Sequence, residues 1–341
     1  MTAWELFRSS PDVAYLDIDQ VGMLYPDQES DGGGHLLQQH ALAALRPNYG
    51  DTGHLLVSGV VDPVLAADPA APVPRADVHY CLLTADPGTV RARVRARGWA
   101  AEDADEAVAE QDALVAAGFA DAVVDTTGLS PGEVAGRVAA GITPPGRPRA
   151  GAGSAPGDGP LPTASVLLTG PRAVGCSTVG FALARGSWDE GVRTGFADVG
   201  QLSFRRGPGS DADTDPVLGL ANLATLREVF ARQGAGRFVA NGHLGHRPPP
   251  AATVVVRLRA SETSLRAHVR SRHDGNEARL AGDDLAAATP AYRESVVRAA
   301  LADQEHLEQA PDPDLVVDVS DRTVDDVVEE VAAHLGWSLR R

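Results

Sequence analysis

The chain repeats itself. Residues 109–142, AEQDALVAAGFADAVVDTTGLSPGEVAGRVAAGI, align without a gap on residues 302–335, ADQEHLEQAPDPDLVVDVSDRTVDDVVEEVAAHL, and about a third of the positions are identical. Upstream, LAALRPNY (42–49) matches LATLREVF (223–230), and HLLVSG (54–59) matches RFVANG (237–242). VHYCLLTADPGTVRARVRAR (78–97) matches TVVVRLRASETSLRAHVRSR (253–272). Similarity between Ala-rich helices accounts for one match, but hardly for several in the same order. Whatever one half folds into, the other is expected to fold into again. Each half alternates short β-branched runs with helical stretches, the pattern of a parallel α/β sheet. Strands are expected at 165–169, 193–197, 237–241, 253–259 and 315–319 in the second half. In the first half they are expected near 13–17, 54–58, 78–84 and 122–125, so one is missing there, and it is the first. The segment 143–163, TPPGRPRAGAGSAPGDGPLPT, is dense in Pro and Gly and has almost nothing to bury. It reads as a linker between domains at 1–142 and 164–338.

The 341 residues are enough for two ordinary domains, and 43% hydrophobic with 22% charged residues is a globular composition. A net charge of -16 argues against a general nucleic-acid binder and against anchoring on an anionic membrane. No apolar run is long enough to span a bilayer, and the opening residues do not read as a signal peptide. Cys81 and Cys176 alone cannot make a disulfide framework, so a reduced cytoplasm is the expected setting.

One segment carries chemistry. Gly170-Pro171-Arg172-Ala173-Val174-Gly175-Cys176-Ser177 fits the phosphate-loop pattern G-x-x-x-x-G-K-[ST] except that Cys176 stands where lysine belongs. The chain has no lysine at all; its 30 Lys+Arg positions are all Arg. The loop follows the apolar run SVLLT (165–169) and opens a helical stretch, the context such a loop requires. Gly170 and Gly175 let the backbone turn and present N–H groups to phosphate oxygens. The helix N-terminus adds a partial positive charge. The expected nucleotide-binding set on the loop is Gly170, Arg172, Val174, Gly175, Cys176, Ser177 and Thr178. A thiol is neutral at pH 7 unless its pKa is lowered, and a thiolate would repel phosphate. Losing one preorganised electrostatic contact at a transition state costs about 2.7–4 kcal/mol. Binding on backbone contacts is therefore expected to survive and catalysis in this half to be lost. Arg172 either stands in partly for the lysine or, more plainly, is solvated.

On these motifs both halves resemble the P-loop small-molecule kinases, such as gluconate, shikimate and adenylylsulfate kinases and chloramphenicol phosphotransferase. The resemblance covers nearly the whole chain outside the linker. It implies an α/β fold of two P-loop NTPase-like, three-layer parallel-sheet domains, with ATP and Mg²⁺ as cofactors. The first domain would lack its central first strand and its phosphate loop. Ser177 is placed like the residue that coordinates Mg²⁺ in the family, with Asp198 as a further metal residue. Tyr15-Leu16-Asp17-Ile18-Asp19-Gln20 resembles the D-x-D after the second strand of shikimate and gluconate kinases, which implies catalytic roles for Asp17 and Asp19. Two carboxylates at i and i+2 point to the same side of an extended chain, which suits joint work on one metal or one hydroxyl. A pair of solvated loop acids is the alternative. The second half keeps one carboxylate, in Phe196-Ala197-Asp198.

Arg91, Arg93, Arg95 and Arg97 fall on an expected helix that leads, in the family, into a lid closing over the phosphates. Arg93 and Arg97 share one helix face and are the expected catalytic arginines, although an exposed arginine face is the ordinary reading. In the second half His268 replaces the first, Arg272 keeps the second as a nucleotide-binding residue, and Arg279 lies in the lid loop. Val124-Asp125-Thr126-Thr127-Gly128 and Val317-Asp318-Val319-Ser320 resemble the loop beside the adenine ring, though buried strand ends alone would produce them. His243-Leu244-Gly245-His246 has metal-like ligands but no Cys or carboxylate partner, and reads as a loop. Asp31 and Gly32 to Gly34 lie where these kinases contact substrate. Cys81 reads as core and Trp4 as a helix packing residue.

Thr2-Ala3-Trp4-Glu5-Leu6 aligns with Val179-Gly180-Phe181-Ala182-Leu183, so Met1 falls on Thr178, just past the loop. Parallel strands lie roughly 4.8 Å apart, and losing a central one leaves a gap of roughly 10 Å with unpaired backbone on both sides. The preferred expectation is that the native protein begins upstream, with an apolar strand and a G-x-x-x-x-G-K-S loop, and that Met1 is a misplaced start. The other is a decayed first domain that never had the loop. Two functions follow. One is an ATP-dependent phosphotransferase of unknown small-molecule substrate, its first half working through an upstream lysine, Asp17, Asp19, Arg93 and Arg97. The other is an inactive nucleotide-binding pseudo-kinase with a regulatory or scaffolding role. The expected partners are nucleotide and a small molecule, with no nucleic acid and no membrane.

Overall fold

The computed structural model describes residues 2–27, 33–50, 52–141, 161–207, 212–243, 250–274, 281–282, 285 and 288–339. The linker (save 161–163), Asp31, Gly32, Leu244 to His246 and Arg279 lie outside the described residues. In chain order the first half forms α1 (Thr2–Ser9), β1 (Val13–Asp17), β2 (Leu24–Tyr25), α2 (His35–Leu45), β3 (His54–Ser58) and α3 (Pro63–Ala67). It continues with β4 (Cys81–Thr84), α4 (Pro87–Ala96), α5 (Ala101–Ala117), β5 (Ala122–Asp125) and α6 (Pro131–Gly141). The second half forms β6 (Ala164–Thr169), α7 (Cys176–Asp189), β7 (Thr194–Asp198), β8 (Arg205–Arg206), α8 (Pro216–Arg232) and β9 (Arg237–Asn241). After it come β10 (Val254–Arg259), α9 (Glu262–His273), α10 (Pro290–Glu308), β11 (Leu315–Asp318) and α11 (Val324–Leu335). Among the described residues no helix is long and apolar enough to cross a membrane.

The chain separates into two compact units, which are not simply its two halves. Residues 19–34 belong to the second unit and 205–213 to the first. The reason is edge pairing: β2 lies antiparallel on β7, and β8 lies antiparallel on β1. A two-residue edge strand carries too little pattern to be read from sequence.

The second unit holds a six-stranded sheet in the order β11-β10-β6-β9-β7-β2, parallel except for β2. Its central strand β6, ASVLLT, is largely apolar, as suits a strand covered on both faces. Val166, Leu167 and Leu168 are fully buried, and the core continues through Val239, Val256, Leu258, Leu183 and Val331. Helices α7 and α11 pack together. Asp215, Ser261, Thr289 and Thr323 cap α8, α9, α10 and α11 through their side-chain oxygens.

The first unit holds two separate sheets among the described residues, β3-β1-β8 and β4-β5. Here α1 packs on α6, and the Trp4, Phe7 and Tyr15 rings cluster with centroids 5.1–6.0 Å apart. Hydrogen bonds in one unit have counterparts in the other. Ala85 N–H donates to Gln111 Oε1 at 2.8 Å, and Ala260 N–H to Gln304 Oε1 at 3.0 Å. Tyr80 N–H donates to Asp121 Oδ2, and Val255 N–H to Asp314 Oδ2. Asp86 N–H donates to Thr127 Oγ1, and Ser261 N–H to Ser320 Oγ. The backbone approaches match too. A Cβ on Gly59 would lie 2.1 Å from Ile18 Cγ2, and one on Gly242 would lie 2.6 Å from Val199 Cβ. Both glycines have φ values, 144° and 151°, that side chains rarely adopt.

Candidate functional site

The loop between β6 and α7 is built by close contacts at its root. A Cβ on Gly170 would lie 2.7 Å from Val174 Cγ1 and 2.8 Å from the Leu258 carbonyl oxygen, so only glycine fits without movement. Pro171 C=O accepts from Val174 N–H, closing the turn at 3.2 Å. Ala173 takes a left-handed φ of 63°, and the bond that supports it comes from outside the loop. His268 Nδ1–H on α9 donates to the Ala173 carbonyl at 3.0 Å, which fixes the Nδ1–H tautomer. Val174 is buried beneath the loop as a packing residue. Gly175, at φ 105°, caps α7. The first intrahelical bond of α7 runs from Val179 N–H to Gly175 C=O, so the N–H groups of Cys176, Ser177 and Thr178 precede the helical ladder. These groups and the positive helix end form an anion cradle.

Under the cradle three side chains close a ring. Ser177 Oγ–H donates to Asp198 Oδ2 at 2.9 Å, Asn241 Nδ2 donates to the same oxygen at 2.7 Å, and it also reaches Ser177 Oγ at 3.0 Å. Asp198 Oδ1 accepts from Gly200 N–H and Gln201 N–H. Asp198 ends β7 and Asn241 ends β9, so the neighbouring carboxyl ends of two strands aim both at the loop. Asn241 is almost fully buried, and its Oδ1 has no hydrogen-bond partner. Asn241 went unread in the sequence. Its signal was its place before Gly242 in RFVANG, where the first half has Ser58.

Cys176 is half-buried with its thiol turned toward the Gly170 root of the loop. Burial, and then the Asp198 carboxylate, push it up to about 12. The thiol is therefore neutral, which removes the feared thiolate repulsion and supplies no charge in its place. The stability it lends by staying protonated is intact below its ordinary value near 9 and is lost as pH climbs toward about 12.

Arg172 does not reach over the loop. Its Nε donates to Asp303 Oδ2 on α10 at 2.8 Å, and its side chain is 62% exposed. Releasing it by Asp303→Asn is expected to tighten nucleotide binding by up to about fivefold, the scale of one exposed ion pair. Titration calorimetry with MgADP checks this. Arg272 sits half-buried on α9, while Thr178 is exposed at the start of α7.

In the first unit the expected set is dispersed. Asp17 ends β1, but the extended chain stops there. Asp19 stands in a 3₁₀ turn, Ile18–Val21, and the compact units divide after Ile18. The same-side argument for an extended pair therefore does not apply. The turn forms where Ile18 is buried against Gly59. Arg93 donates from Nη1 to Thr126 Oγ1 at 2.7 Å and from Nη2 to the Thr126 carbonyl at 2.9 Å, which ties it to the end of β5. Arg97 is exposed at the C-cap of α4, and Arg91 pairs with Asp105. Cys81, expected in the core, is only half-buried. At the strand ends Asp125 and Asp318 are held below the usual carboxylate range, first by the hydroxyls of Thr127 and Ser320. Among the described residues no group of three or more His, Cys, Asp or Glu is placed to hold a metal ion.

No protein-family model matches the chain, and no curated protein matches it. Among solved structures it is similar to a gluconokinase from Sinorhizobium meliloti 1021, at 19% identity and a TM-score of 0.31, over 52% of this chain and 93% of that one. It is also similar to a shikimate kinase from Bacteroides thetaiotaomicron, at 16% identity and a TM-score of 0.32, over 51% of this chain and 98% of that one.

Proposed function

We propose that the second unit binds a magnesium nucleotide, ATP or ADP, through its loop and does not transfer phosphate from it at a useful rate. The observation that carries this reading is the loop itself: a glycine-hinged anion cradle standing over the Ser177–Asp198–Asn241 ring, with a neutral thiol at the lysine position. Phosphate oxygens would take the N–H groups of Gly175, Cys176, Ser177 and Thr178. Mg²⁺ fits the donor set, since Ser177 Oγ and Asp198 Oδ2 are hard oxygens of the kind that ion takes along with water and phosphate. When bound, it would neutralise charge on the phosphates. Asn241 then keeps the Asp198 carboxylate oriented, and Val174 and Pro171 keep water from beneath the loop. Among the described residues no cation acts on the Cys176 thiol, and Arg172 is held by Asp303. Charge spread over the transferring phosphoryl group therefore goes largely unmatched. A regulatory or scaffolding role suits such a module.

Thermal denaturation with and without millimolar MgADP tests the reading, because a ligand that binds only the folded form raises Tm. Cys176→Lys is expected to tighten MgATP by at least about tenfold through charge-assisted contacts. It is also expected to lower stability without nucleotide, because an ammonium replaces a thiol in a desolvated place. Calorimetry and melting of the variant check both signs.

The phosphotransferase reading keeps one support: Asp17 ends β1 in the sequence position that Asp198 holds on β7. It asks for phosphate release from ATP that depends on Asp17. A rate unchanged by Asp17→Asn removes it.

A further inference from the structure

The first unit carries a groove of about 1020 Å³ lined by all of β3, by Tyr80 and Cys81 where β4 begins, by Leu6 of α1 and by Ala139 of α6. Among the described residues no strand pairs with the edge of β3 away from β1, or with the edge of β4 away from β5. In the second unit the corresponding place is filled. There β6 bonds Ala164–Leu168 against Arg237–Asn241 of β9, and Val166–Thr169 against Val254–Arg257 of β10.

Two local differences mark the groove as a place where a strand is wanting. First, β10 begins at Val254, whose match in the first half is His79, yet β4 begins only at Cys81. Of the β10 residues that pair with β6, Val254 and Val255 have no partner on β11 as well, and without a strand in the place of β6 His79 and Tyr80 do not enter the ladder. Second, β9 is buried from Phe238 to Asn241, whereas the same stretch of β3, Leu55 to Ser58, is only half-buried. Leu55, Leu56, Val57 and the backbone edges on both sides thus lack the cover that a buried parallel sheet needs.

We propose that this groove accepts a β-strand: one extended, apolar segment of about the length of β6, joined to the N-terminal end of α1 and running parallel between β3 and β4. It merges β3-β1-β8 and β4-β5 into one sheet in the order that the second unit shows. The segment spans His54–Ser58 on one side and His79–Leu82 on the other. The connection to α1 follows from the second unit, where the strand in that place leads through the loop 170–175 into α7. Helix α1 packs on α6 as α7 packs on α11. The apolar character follows from the lining, and from β6, which is buried from Ser165 to Thr169. The inference does not rest on nucleotide binding by the second unit.

The test compares the full chain with two extended forms. One carries a copy of residues 164–175 ahead of α1, and the other carries the same extension with proline in place of the residue copied from Leu167, which removes a ladder N–H. Alkylation of Cys81 is followed by mass spectrometry at alkaline pH, because burial raises that thiol's pKa, and amide exchange is followed across β3. The expected result is that the first extension slows both by at least about tenfold and the proline form does not. Equal rates in all three proteins overturn the proposal. So does protection of Cys81 in the unextended chain that grows with protein concentration, since the groove is then covered by a second copy.

Discussion

The Gly175→Asp variant is expected to bind MgADP at least about a hundredfold more weakly than the natural chain, the scale of a lost charge-assisted contact joined to like-charge repulsion. Two causes act together. Gly175 sits at φ 105°, where a side chain is strained by about 1–3 kcal/mol, so the loop shifts to relieve it. The new carboxylate also stands at the N-terminal end of α7, among the N–H groups that would hold phosphate. An added Cβ meets nothing within 4 Å, so the fold has room for the side chain even though the loop geometry does not suit it. Titration calorimetry measures the affinity, and circular dichroism confirms that the variant is folded. Unchanged affinity in a folded variant would move the nucleotide away from this loop.

Leu168→Ala is expected to destabilise the second unit by about 2–5 kcal/mol, because the residue is fully buried on the central strand and leaves a cavity that its neighbours cannot fill. For a unit of this size that lowers Tm by about 2–4 °C per kcal/mol. The comparison that gives the number meaning is Leu56→Ala on β3. The side chain removed is the same, but Leu56 is half-buried and lines the groove, so the loss is expected to stay below about 1.5 kcal/mol. Denaturant titration of both variants checks the difference. Equal losses would mean that β3 is covered as well as β6 is.

Much of the fold was legible because its strands are long enough to carry a pattern. The apolar runs near 165–169, 237–241 and 54–58 fall in β6, β9 and β3. The edge pairs were not legible. Leu24–Tyr25 and Arg205–Arg206 are strands only because β7 and β1 offer them a partner distant in sequence. The site divides in the same way. Gly170, Gly175 and Ser177 lie in one contiguous motif whose spacing states its chemistry. Asn241 reaches the same place from a strand end 64 residues beyond Ser177, and its one local sign is the Gly242 that follows it. Arg93 illustrates the opposite case. Its helix was legible, but its bond to Thr126, 33 residues away, depends on how α4 lies against the end of β5. The pair Asp17 and Asp19 does not form an extended motif, because β1 ends at Asp17 and Asp19 lies in the 3₁₀ turn Ile18–Val21.

The most direct measurement is the binding of MgATP to the natural chain by titration calorimetry, with phosphate release followed in the same sample. The account predicts saturable binding at the loop, abolished by Gly175→Asp, with no release above the uncatalysed background. Absence of binding at millimolar nucleotide contradicts it, and so does turnover that persists in the Gly175→Asp variant.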